Sequence, residues 1–102
     1  MYAIIDLETS GGKFNQEKII EIAIVIFDGK KISKKFSTLV NPGIKVDYYV
    51  QKLTGIKKSQ LDKEYGFDKY AKKVFNLVEN MILVGHNVEY DYRVLKNEFK
   101  LC

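Results

Sequence analysis

Strand-like and helix-like hydrophobic patterns alternate along the chain. Tyr2 to Leu7 is a short apolar run that ends in charge, the pattern of a strand buried on both faces. Ile19 to Phe27 is a second such run, rich in β-branched residues, with Glu21 as its only charge. Asp28-Gly29 supplies a hairpin turn before Lys30 to Val40, which alternates and carries four lysines, as an edge strand guarded against further pairing does. Asn41-Pro42-Gly43 stops that strand.

From Tyr48 to Leu61 the pattern predicts short helical pieces separated at Gly55, with Ser59 available as an N-cap. Phe67 to Glu79 predicts an amphipathic helix, since Phe67, Tyr70, Ala71, Val74, Phe75 and Val78 repeat at helical spacing; it should cover one face of the sheet. Met81 to Val84 reads as a fourth strand. Val88 to Leu101 reads as a helix with Val88, Tyr92, Leu95 and Phe99 in one stripe and Asn87 as its N-cap. A long helical crossover separates the third and fourth strands, so the fourth is expected parallel to the first and beside it in the sheet interior. The predicted architecture is α/β with a mixed sheet and flanking helices. The last helix has no Gly or Pro stop signal, and Cys102 continues its apolar stripe, so the chain is expected to end before its fold does.

Composition narrows the classes. A chain of 102 residues with 46% hydrophobic content and one Pro suits one globular domain. No apolar run approaches the roughly 18 residues of a membrane span, and no basic segment precedes an apolar stretch, so no membrane association and a cytoplasmic location are expected. With Cys102 and His86 each alone of their kind, an internal disulfide, a thiolate zinc cage and a multi-histidine site are excluded, and any metal must be held by oxygen. The net charge of +4 combines sixteen Lys and one Arg with thirteen acids. That balance favours a polyanion, and a lysine-based contact to phosphates would carry little sequence preference.

Asp6 and Glu8 sit two apart where the first strand emerges, so the strand period points both to one face. Ligands of open α/β sheets gather at the carboxyl ends of the parallel strands, which brings Gly85-His86-Asn87 and, one turn later, Asp91 toward the same crevice. Three carboxylates there call for a divalent cation, and an all-oxygen set favours Mg²⁺ or Mn²⁺. Phosphodiester hydrolysis with paired ions is the chemistry such a site suits. Each residue also has a plainer reading: Asp6 and Glu8 as polar strand ends, Asp91 as a first-turn acid, Asn87 as an N-cap, Thr9-Ser10-Gly11-Gly12 as a turn.

Ile4-Ile5-Asp6-Leu7-Glu8-Thr9-Ser10-Gly11 resembles the first motif of the DEDD-type 3′–5′ exonucleases, whose fold is ribonuclease H-like, and Gly85-His86-Asn87-Val88-Glu89-Tyr90-Asp91 resembles their second. Asn41-Pro42 and Leu53-Thr54-Gly55-Ile56 match the spacing in the branch of the DNA polymerase III epsilon (proofreading) subunit. The resemblance implies Asp6, Glu8 and Asp91 as catalytic ligands of two divalent cations, Mg²⁺ or Mn²⁺, with Asp6 touching both. It further implies that Leu7, Thr9, Ser10, Gly11, Thr54 and Asn87 line the substrate. The implied substrate is a single-stranded or frayed DNA 3′ end, with RNA as the variant, and the implied partner is a polymerase subunit. The family's third motif, a His followed by a fourth acidic ligand, falls after the second motif's helix. Residues 1–102 are therefore expected to be the N-terminal part of a single exonuclease domain, truncated at its C-terminus, lacking the general base and open to self-association through the uncovered face. Thr54 stands where relatives often carry His, and Tyr90 where Phe is common.

Two rival readings stand beside it. A haloacid-dehalogenase-like phosphatase also places acids two apart after a strand, but wants Asp where Glu8 stands. An incomplete, non-catalytic domain of the same fold would bind nucleic acid or a polymerase without hydrolysis.

Overall fold

The computed structural model describes residues 1–102. Its elements are β1 (Tyr2–Thr9), β2 (Ile19–Phe27), β3 (Ile32–Leu39), α1 (Tyr48–Thr54), α2 (Lys58–Leu61), α3 (Phe67–Val78), β4 (Ile82–Val84) and α4 (Val88–Lys100). The four strands form one mixed sheet in the order β3-β2-β1-β4. β1 pairs antiparallel with β2, opposing Ile4 to Val25 and Glu8 to Glu21, and parallel with β4, opposing Tyr2 to Ile82 and Ile4 to Val84. The register slips between Glu8 and Thr9, where β1 leaves its regular ladder. The lysine-bearing β3 is an edge strand, as its pattern predicts. β4 is the opposite edge rather than an interior strand; the crossover fixes its parallel direction beside β1, but no strand pairs with its outer side.

Alternation along β1 sets the rest. Ala3, Ile5 and Leu7 are buried and join Ile22, Ile24 and Ile26 of β2 in the main core, which Phe67 and Val74 of α3 and Val94 and Leu95 of α4 close from one side. A smaller cluster of Ile20, Val46, Val50, Ile56 and Leu61 seats α1 and α2. The other face of β1 is not buried, contrary to the two-face reading of its apolar run: Tyr2 is 38% and Ile4 40% exposed, beside Ile82 at 60% and Val84 at 40%. Helices cover only one side of the sheet at this end, so that face keeps an apolar surface in solvent.

Helix details also depart from the sequence pattern. Ser59 lies inside α2, whose start is instead secured by the Gln60 side chain accepting from the Lys57 backbone N–H. Asn87 occupies the N-cap position of α4 without a side-chain cap bond; its carbonyl accepts the Asp91 N–H at 3.1 Å. The buried side of α4 is Asp91, Val94, Leu95 and Glu98, whereas Tyr92 is exposed. The helix is rotated relative to its apolar stripe because two carboxylates have inward partners: Glu98 accepts from Lys18 Nζ and from the Ile19 N–H, and Asp91 turns into the crevice beside β1. No helix is long and apolar enough to cross a membrane.

Candidate active site

Asp6 and Glu8 project from the open face of β1, and Leu7 between them points into the core, as a period of two requires. Parallel pairing of β1 with β4 ends at Ile4 and Val84, so the chain leaving β4 passes directly beside Ile5 and Asp6. Gly85 makes that passage possible. A Cβ at this position would lie 3.0 Å from the Ile5 carbonyl oxygen and 3.2 Å from Asp91 Oδ2. The missing side chain lets α4 begin against the exit of β1 and carries Asp91, 5% exposed, into the crevice.

Electrostatics report the convergence. Burial, followed by the charges of Asp6 and then Glu8, pushes the Asp91 carboxyl up to about 6. Glu8 is raised as well, first by burial and then by the charges of Asp6 and of its cross-strand neighbour Glu21. None of the chain's three ion pairs involves these acids; the lysines and the arginine that pair do so elsewhere. The carboxylates do not close on one point, since no three acidic, His or Cys side chains are gathered tightly enough to hold an ion alone. As a donor set they nonetheless fit a hard divalent cation: all are oxygen ligands, their repulsion is uncompensated by protein cations, and Mg²⁺ keeps several waters when bound.

Comparison with known proteins decides the family. A family profile described as Exonuclease (RNase_T) matches residues 3–102. The chain belongs to the exonuclease family. Within it, the 3′-5′ exonuclease DinG of Bacillus subtilis (strain 168) is 33% identical over 98 residues, covering 95% of this chain and 10% of the relative. The 3′-5′ exonuclease DinG of Staphylococcus haemolyticus is 29% identical over 101 residues, covering 99% and 11%. The chain thus spans about a tenth of the length of these curated relatives. Among solved structures, exonuclease X in complex with 5′ overhanging duplex DNA aligns with a TM-score of 0.73 at 29% identity, over 93% of this chain and 54% of that one. Product-bound exonuclease I aligns at 0.83 and 20% identity, over 97% and 25%, which speaks for the fold alone. The ribonuclease H-like α/β architecture and the DEDD exonuclease family are therefore established for this chain; neither of these relatives is a polymerase epsilon subunit.

The remaining residues predicted to line the site fall into two groups. Thr9 lies against the second motif and Gly11 against the start of α1. The Thr9 hydroxyl lies 2.6 Å from the Tyr90 hydroxyl, and Gly11, at φ +70°, packs where a Cβ would come within 2.7 Å of Asp47 Oδ2 and 3.2 Å of the Tyr49 hydroxyl. Asn87 is exposed at the entry to α4. The side chains of Leu7 and Ser10 do not line the crevice. Leu7 is core, and the fully buried Ser10 uses its hydroxyl to accept the Lys18 N–H and to donate to the Gly11 carbonyl. Thr54 closes its own helix, donating to the Val50 carbonyl and accepting from the Ile56 N–H. The sole histidine, His86, is exposed.

Sequence reasoning missed a set of contacts that tie the first motif to the second. Tyr90 grips Thr9, and Arg93 forms a two-pronged pair with Glu17 at 3.1 and 2.9 Å. Asp47 and Tyr49 back Gly11 from the far side. The available signal was the single Arg, an unusual choice in a chain that otherwise uses Lys.

Proposed function

We propose that this chain forms the N-terminal part of a metal-dependent 3′–5′ exonuclease domain that hydrolyses terminal phosphodiester bonds at single-stranded or frayed DNA ends. One observation supports the reading: the charges of Asp6 and Glu8 on β1 act on the buried Asp91 carboxyl of the second motif, and none of the chain's ion pairs involves these acids. Asp6, Glu8 and Asp91 would hold Mg²⁺ or Mn²⁺. When bound, such ions lower the pKa of a water and stabilise the leaving oxygen. The chain's own residues position rather than react. β1 presents Asp6 and Glu8 in a fixed relative orientation, α4 holds Asp91 largely out of water, and the Thr9–Tyr90 bond keeps the two motifs in register. Gly11, at φ +70°, lets the chain turn after the first motif while packed closely against Asp47 and Tyr49. DNA as substrate is favoured by exonuclease X, whose structure holds a 5′ overhanging duplex DNA. The DinG relatives favour a nuclease outside the polymerase-proofreading branch, which rests on the motif resemblance alone.

A second reading is an end-binding domain that does not hydrolyse by itself. It is favoured by the carboxylates not being gathered into a ready-made three-ligand cluster. Its open sheet face, with Ile4, Ile82 and Val84, would then seat a second copy or further polypeptide.

Both readings are tested together by titrating Mn²⁺ into the wild type and Asp6→Asn by calorimetry and by assaying a 5′-labelled single strand. The exonuclease reading expects Mn²⁺ binding that Asp6→Asn abolishes and ladders shortened from the 3′ end. Binding of strand and metal without shortening supports the end-binding domain; no metal binding in the wild type overturns the metal site.

A further inference from the structure

The segment between Ser10 and Lys18 is a closed loop with built-in restraints. Its ends are joined by the Ser10 N–H donating to the Lys18 carbonyl at 2.8 Å and the Lys18 N–H donating to Ser10 Oγ at 3.0 Å. Inside it, Asn15 adopts φ +65°, a left-handed conformation that Asn takes readily, and hydrogen bonds enforce the position of its side chain. Arg93 supplies the enforcement: Nη1 donates to Asn15 Oδ1 at 2.7 Å while the guanidinium forks onto Glu17. Asn97 adds a bond to the same Asn15 oxygen at 3.3 Å.

The result is an unusual seat for Phe14. Its ring lies 4.3 Å from the Arg93 guanidinium carbon, which is also 5.1 Å from the Tyr90 ring. Tyr90 in turn touches Thr9 and precedes Asp91 in sequence, so the stack of Tyr90, Arg93 and Phe14 runs outward from the acidic crevice. Phe14 is 72% exposed. A large apolar ring held in water, with one side on a cation and carried by a hydrogen-bonded loop, gains nothing from burial and has an aromatic surface free.

We propose that Phe14 is a stacking platform for a nucleobase of the bound strand, placed just outside the crevice by Arg93. The proposal rests on the exonuclease reading above. Every base has a π-face, so a platform of this kind holds single-stranded substrate without selecting sequence, in keeping with a chain that has one Arg and sixteen Lys.

The chain contains no Trp, so Phe14→Trp introduces a single indole reporter at the platform. Binding is measured with Ca²⁺ in place of Mg²⁺ or Mn²⁺, so that the crevice carboxylates are neutralised while hydrolysis is suppressed, with a twelve-nucleotide oligothymidylate and with an abasic strand of equal length. Phe14→Ala should weaken oligothymidylate binding by about 5- to 150-fold, the range of one lost base stack, and leave abasic-strand binding unchanged. Phe14→Leu, apolar but not flat, should behave like Phe14→Ala, whereas Phe14→Trp should bind like the wild type and have its fluorescence quenched by the thymidylate strand only. Wild-type affinity in Phe14→Ala together with an unquenched Phe14→Trp at saturation overturns the platform while leaving the exonuclease reading intact. If the wild type binds neither strand, both fall.

Discussion

The hydroxyls of Thr9 and Tyr90 lie 2.6 Å apart across the end of β1 and the first turn of α4. Residues eighty-one positions apart are thus joined beside Asp91 on one side and Glu8 on the other. Burial raises the Tyr90 phenol above its ordinary value, so it stays protonated at neutral pH and remains able to donate.

Removing that bond should be felt modestly by the fold. Tyr90→Phe keeps the ring against Arg93 and deletes only the hydroxyl, so an equilibrium loss of about 0.5–1.5 kcal/mol is expected by urea unfolding. Thr9→Val in the same background should add little, because the partner is already gone; fully additive losses would show that the two hydroxyls do not act as a pair.

The Asp91 carboxyl gives the metal-free chain a distinctive pH dependence. Its folded value near 6 exceeds the ordinary 3.8, so between these values the folded state keeps a proton that the unfolded state has released. Stability from this group is therefore full below about pH 4 and falls as pH rises toward about 6, by up to about 3 kcal/mol. Glu8 shifts in the same direction, while Glu17, lowered chiefly by its hydrogen bonds from Arg93, works in the opposite sense. Asp91→Asn should remove the fall and be more stable than the wild type at pH 7 in chelator. Adding Mg²⁺ or Mn²⁺ should stabilise the wild type and not Asp91→Asn, read as a shift in melting temperature.

Gly85→Ala tests the close approach of the second motif to the first. The new methyl would press on the Ile5 carbonyl, which is backbone and cannot swing away, and on Asp91 Oδ2. A cost of about 1–3 kcal/mol is expected, with the start of α4 displaced from β1. Mn²⁺ affinity, followed by calorimetry, should fall at temperatures where the variant is still folded; unchanged affinity would mean that Asp91 is not held by this contact.

Glu98 is only 2% exposed, and its two partners, Lys18 Nζ and the Ile19 N–H, anchor α4 to the start of β2. Lys18→Met should cost about 3 kcal/mol in chemical unfolding, because it leaves a buried carboxylate without its counter-charge. The double variant Lys18→Met, Glu98→Gln should recover part of that loss, since the amide carries no charge and its oxygen can still accept the Ile19 N–H.

How much of this was legible before the fold depended on range. Apolar runs, the alternation of β3 and helical spacing with its breaks located the strands and helices, and the spacing of Asp6 and Glu8 determined that they share a face, because alternation is a property of the local backbone. The two motifs announced the exonuclease family. What the sequence could not determine was which side of each element would be covered. The apolar run of β1 is compatible with burial on both faces, and only the placement of α3 and α4 on one side left Tyr2 and Ile4 in solvent. The rotation of α4 was equally hidden: a hydrophobic stripe weighs Glu98 and Asp91 as surface residues, yet Lys18 and the crevice draw both inward. Leu7 and Ser10, adjacent in sequence to the acids, turned out to serve the core and the loop base. The clasp of Thr9 on Tyr90 and of Arg93 on Glu17 existed nowhere in the linear pattern, because hydrogen-bond partners some eighty residues apart are chosen by the packing of β1 against α4 and not by any local preference.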